Sequence, residues 1–143
     1  MISLNLARQL KAAGLVWQSA TNDFFAIPDR GMDDRLFVLA DMQAQLDIFR
    51  GWPVVTFHGT AEWALDYILT SEVVWMPREE QLRDALLAQL SGQANGEIRL
   101  SLVNNIYSCS IPWQGEAKRF DASSAADAYG KALFFLLENS QST

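Results

Sequence analysis

The sequence predicts an α+β fold in which about four helices pack on a mostly antiparallel sheet of short hairpins. Apolar residues recur at helical spacing in four segments, as on the buried stripe of an amphipathic helix. Between those segments lie short alternating or β-branched runs punctuated by Gly, Pro, Asn and Asp turns. The resulting order, α-β-β-β-β-β-α-β-α-β-β-β-α, holds more hairpins than crossovers, which places helices against an antiparallel sheet.

Ser3 caps a first helix over residues 4–13, whose Leu6, Ala7, Leu10 and Ala13 share one face, and Gly14 stands where a left-handed terminating residue belongs. Residues 15–18, 23–27 and 35–40 then read as a meander of short strands, separated by Thr21-Asn22 and by Pro28-Asp29-Arg30-Gly31. Residues 45–50 and 54–58 flank Gly51-Trp52-Pro53 and suggest a further hairpin. Thr60 caps a second helix along the stripe Ala61, Ala64, Leu65, Ile68 and Leu69.

After the β-like run Val73-Val74-Trp75-Met76, Pro77 occupies the first position of a third helix with Glu79 and Glu80 in its first turn. Leu82, Ala85, Leu86 and Leu90 face inward, and Gly92 ends it. Ile98, Leu100 and Leu102 alternate with polar residues, as do Tyr107, Cys109 and Ile111 beyond an Asn104-Asn105 turn, so these segments form a hairpin. A third strand runs through Phe120. Ser124 and Asp127 resemble a capping box for a last helix that extends to about Glu138. The whole chain, 1–143, reads as one domain, with 92–97 as the candidate subdivision.

Half of the 143 residues are hydrophobic and a fifth are charged, a balance that favours a packed core over a disordered chain. The net charge of -6 and the scatter of the basic residues argue against a nucleic-acid partner, which needs clustered Lys and Arg; Lys118 and Arg119 alone are adjacent. A polybasic membrane contact is disfavoured for the same reason, and no apolar run is long enough to span a bilayer. A single cysteine and the Arg8 and Lys11 charges near the N-terminus point to the reducing cytoplasm.

His58, the one histidine, falls between a strand and the Gly59-Thr60 helix start, where it is a candidate general base or anion ligand; the simpler reading is a strand-end histidine. Asp29, Asp33, Asp34 and Asp41 gather around one hairpin and are candidate metal ligands, but their spacing does not match an EF-hand loop and a solvated turn explains them. Cys109 belongs to the buried face of its strand, which suits packing better than a nucleophile paired with His58. No phosphate-binding loop, dinucleotide fingerprint, zinc-protease or serine-hydrolase motif is present, so no cofactor is expected. Trp63 and Tyr67, four residues apart, fall opposite the Ala61-Leu65-Ile68 stripe, and a helix apolar on both sides is either sandwiched or presents an interaction surface. Trp17, Trp52, Trp75 and Trp113 sit in strands and turns where packing is favoured over a ligand platform.

The stretches Gly59-Thr60-Ala61-Glu62-Trp63-Ala64-Leu65-Asp66 and Val74-Trp75-Met76-Pro77-Arg78-Glu79-Glu80-Gln81-Leu82, with residues 36–41 and 120–133, resemble a family of small uncharacterised bacterial proteins. Some relatives in that family carry a pilus-assembly label, so the resemblance implies an accessory role there. The last third is also similar to short phage and prophage proteins in which a hairpin leads into an Ala-rich helix. Neither resemblance implies a catalytic residue.

The expected function is a non-enzymatic interaction or accessory module, with Trp63 and Tyr67 contacting a protein partner or a second copy. The alternative is a small enzyme or anion-binding protein that uses His58 with a nearby carboxylate.

Overall fold

The computed structural model describes residues 1–29, 31, 35–39, 44–57, 67–92 and 97–140. It is an α+β arrangement that divides into two compact units, one formed by residues 1–16 and 77–143 and the other by 17–76. Most of the candidate subdivision at 92–97 lies outside the described residues.

In the first unit, α1 (Leu4–Ala12) starts at Ser3, whose side chain accepts from the Leu6 N–H. It ends in a Schellman motif: Gly14 takes a φ of 106°, the Gly14 N–H bonds the Lys11 carbonyl, and the Leu15 N–H reaches back to Leu10. Helix α2 (Glu79–Leu90) buries Leu82, Leu86 and Leu90 as expected. Its N-cap is Arg78, so Pro77 stands one residue before the cap and not at the first helical position. The Gln81 side chain, three residues on, accepts from the Arg78 N–H at 2.9 Å and fixes the start there.

Strands β7 (Arg99–Val103), β8 (Ile106–Trp113) and β9 (Glu116–Ala122) form an antiparallel sheet in that order, and α3 (Ala125–Ser140) packs on β8 and β9. Ser124 Oγ accepts from the Asp127 N–H at 3.1 Å. The Asp127 carboxylate does not close the box; it takes the Ser3 N–H at 2.7 Å and so ties the two helix starts together. Both α1 and α2 pack on α3, and Gly130 is what lets α1 approach, since a Cβ there would lie 2.7 Å from a Leu6 methyl.

The second unit holds two further three-stranded antiparallel sheets. One is β2 (Phe37–Val38), β1 (Phe24–Ala26) and β6 (Val74–Trp75); the other is β3 (Ala44–Phe49), β4 (Trp52–Phe57) and β5 (Tyr67–Leu69). Phe25, Ile27, Leu39, Val55 and Val73 are its core, with Trp17 and Phe37 packed against them.

Three expectations are corrected here. Residues 15–18 form no strand, because Trp17 turns in to donate to Asp23. The β3–β4 turn is Arg50-Gly51, both at positive φ, so the strands meet at Phe49 and Trp52, and Pro53 lies inside β4. A two-residue turn makes its flanking pair the hydrogen-bonded one, so the nitrogen of Pro53 points away from β3 and beyond the last β5 pair, where a missing N–H costs nothing. The helix expected over 60–69 is replaced at its end by β5: Tyr67, Ile68 and Leu69 pair with Thr56, Val55 and Val54. Aromatic and branched side chains favour that pleated pairing. The rest of the helix, 60–66, lies outside the described residues, which contain three α-helices and one 3-10 turn at Thr70–Glu72.

Candidate interaction surface

The β7–β8 hairpin is built by its turn. Asn104 and Asn105 take φ of 52° and 63°, the pair of left-handed conformations that a type I′ turn needs and that asparagine tolerates. Val103 and Ile106 are then the hydrogen-bonded closing pair, followed alternately by Leu102 with Tyr107, Ser101 with Ser108, Leu100 with Cys109 and Arg99 with Ser110. Main-chain groups of Val103, Ser101 and Arg99 therefore face β8, while those of Leu100 and Leu102 face outward from the sheet.

The side chains of Leu100 and Leu102 share the face of Cys109, which is wholly buried. Helix α3 packs on that face mainly over β8 and β9. Leu100 and Leu102 thus remain 38% and 53% exposed, and Val103 and Ile106 at the hairpin tip are 65% and 45% exposed. Every residue of β7 is exposed, and β8 is its one strand partner among the described residues.

The opposite edge has a different character. Strand β9 carries Glu116, Lys118, Arg119 and Asp121 among seven residues, and Arg119 pairs with Asp121 at 3.1 Å. Charges of this kind discourage a second chain from adding to an edge. Strand β7 carries one charge, Arg99, which Glu97 holds at 2.9 Å. One edge is blocked by charge and the other is left apolar.

Cys109 is a packing residue. Burial pushes its thiol up to about 11, so it stays protonated and unreactive at neutral pH. Lys118 lies with its ammonium 4.6 Å from the centre of the Phe135 ring, while Arg119, one residue on, points to the other face of β9. The two adjacent cations form no common patch.

Between α1, α3 and β9 lies an open groove of about 430 Å³, floored by Phe120, Phe134 and Phe135. Two of its charged groups are already engaged: Asp127 with Ser3, and Lys131 Nζ with the Asp121 carbonyl at 2.6 Å.

The other sequence candidates are dispersed or lie elsewhere. His58, Trp63, Asp33, Asp34 and Asp41 are outside the described residues. Tyr67 is in β5, so the helical spacing that paired it with Trp63 does not hold at its end. Asp29 occupies a turn at φ 66°, and no three His, Cys, Asp or Glu side chains group as metal ligands among the described residues. Trp17 stacks on Trp75 and leans on Phe25, Trp113 meets Phe135 edge-on at 5.1 Å, and Trp52 is 64% exposed beside the turn of its hairpin.

Two features escaped the sequence reading. Asp23 is a buried carboxylate whose Oδ2 accepts from Trp17 Nε1 and from the Ala20 N–H, both at 2.9 Å. Its lone pairs hold a loop in place, which makes it structural. The other is the exposure of β7, because an alternating strand looks the same whether or not a helix reaches it. No described helix is long and apolar enough to cross a membrane. No family model matches the chain, and no curated protein or solved structure matches it either.

Proposed function

We propose that this chain is a protein-interaction module whose recognition surface is the free edge of β7. The observation that carries the reading is the contrast between the two edges of one sheet: β9 is guarded by four charges, and β7 offers Leu100 and Leu102 with their main-chain groups outward. Strand addition uses both features, main-chain hydrogen bonds for affinity and apolar side chains on one face for selectivity. Trp63 and Tyr67, the anchors expected from sequence, belong to a separate stretch and serve as the comparison.

The test is an affinity capture from native lysate with tagged wild type beside Leu102→Pro, Trp63→Ala and His58→Ala, read by mass spectrometry. Proline at 102 removes an outward N–H and leaves the bonds to β8 in place. The reading expects capture to be lost with Leu102→Pro and retained with His58→Ala. Capture that survives Leu102→Pro and fails with Trp63→Ala moves the surface to residues 58–67; loss with His58→Ala alone favours the enzyme or anion-binding alternative.

A further inference from the structure

Resting on that reading, we infer that the partner of β7 is a second copy of this chain, joined antiparallel about a two-fold axis through Ser101. The strand reads Arg99-Leu100-Ser101-Leu102-Val103, and its two leucines stand symmetrically about Ser101. An axis perpendicular to the sheet at that residue sets Leu100 opposite Leu102 of the second copy, and Leu102 opposite its Leu100. These two residues carry the outward main-chain groups, so both pairings are of the hydrogen-bonded kind and exchange four N–H to carbonyl bonds in all. The same axis keeps like faces together, and the four leucines meet on the side already lined by Cys109 and Tyr107. No foreign sequence is needed to satisfy the edge.

Charge selects the same occupant. The chain carries a net charge of -6, which opposes self-association in general, but residues 97–113 hold one glutamate and one arginine, and these pair with each other. Two copies therefore meet over a neutral strip. Moving the axis to the space between 101 and 102 would set the leucines on the opposite face from their partners, and moving it to Leu102 or Leu100 would leave a leucine opposite Asn104 or Ile98, so the Ser101 register alone pairs all four leucines. Five residues a side is small against the roughly 20–30 a side of a standard stable interface, so the dimer is weak and dissociates on dilution.

The experiment is sedimentation equilibrium of the full chain across about 10 μM to 1 mM, where mass action moves a weak dimer through its midpoint. The weight-average mass is expected to rise from 16.0 kDa toward twice that value. Leu102→Pro, with unchanged circular dichroism, is expected to stay at the monomer mass. Ser101→Cys and Val103→Cys test the register without relying on that variant. Under mild oxidation Ser101→Cys is expected to form a disulfide-linked dimer at least tenfold faster than Val103→Cys, because across the axis residue 101 faces itself while 103 faces 99, out of disulfide reach. Equal rates overturn the register. A monomer mass at the highest concentration overturns self-pairing; if Leu102→Pro still abolishes capture of another protein, the interaction reading survives, and if it does not, both readings fall.

Discussion

Asp23 and Cys109 are both buried, and they sit at opposite ends of what a titratable side chain does in a core. Asp23 offers one oxygen to two donors, the half-buried Trp17 indole and the amide of the exposed Ala20. Replacing it with alanine removes the acceptor of the Trp17 indole N–H and of the Ala20 amide, and Asp23→Ala is expected to cost about 1–3 kcal/mol in urea unfolding. A loss below about 0.5 kcal/mol would mean that the loop over residues 17–20 finds other partners. Cys109 has no such role, and its thiol is raised from 9.0 to about 11 by burial alone. As pH rises past 9 the unfolded chain gives up this proton first, so the thiol's contribution to stability is full below pH 9 and is lost as pH climbs toward 11. Iodoacetamide at pH 8 should leave the native protein unlabelled and modify it in denaturant. Rapid labelling of the native protein would show Cys109 to be accessible.

At the scale of elements, the local signals that proved legible were those with a stereochemical cause. Ser3 and Gly14 bracket α1 because a hydroxyl acceptor and a left-handed glycine are what helix ends require, and Asn104-Asn105 closes β7 and β8 for the matching reason in a hairpin. The signals that misled were ambiguous in period. Tyr67-Ile68-Leu69 fits the end of a helical stripe as well as a short strand, and the free edge of β4 decides for the strand. Pro77 suits a first helical position, yet the Gln81 side chain moves the cap to Arg78. Alternation in β7 and β8 pointed to the hairpin that forms, but exposure of β7 depends on where α3 packs, which no pattern within β7 records. Of the candidate site, the hairpin was thus visible in sequence and its open edge was not. Gly130 gives a test of the helix packing: alanine there gains up to about 1 kcal/mol of helix propensity but meets Leu6 and Ile2 in a filled interface. Overpacking wins, and Gly130→Ala is expected to lower stability by about 1 kcal/mol. A clear rise in melting temperature would contradict the close approach of α1 to α3.

For the whole molecule the relevant quantities are net charge and the two unequal edges of the β7–β8–β9 sheet. A net charge of -6 on each copy repels at long range, while the strip that would join them is neutral. Added salt screens the first and has little in the second to weaken, so self-association is expected to tighten by a factor of a few between low ionic strength and about 0.15 M, where the Debye length is about 8 Å. Loosening with salt would place ion pairs at the contact. The most direct measurement is amide hydrogen exchange resolved along β7 at low and high protein concentration. Arg99, Ser101 and Val103 are expected to be protected throughout by β8, and Leu100 and Leu102 to exchange freely when dilute and gain protection when concentrated. Protection of Leu100 and Leu102 in the dilute monomer, or none at any concentration, would contradict self-pairing through β7.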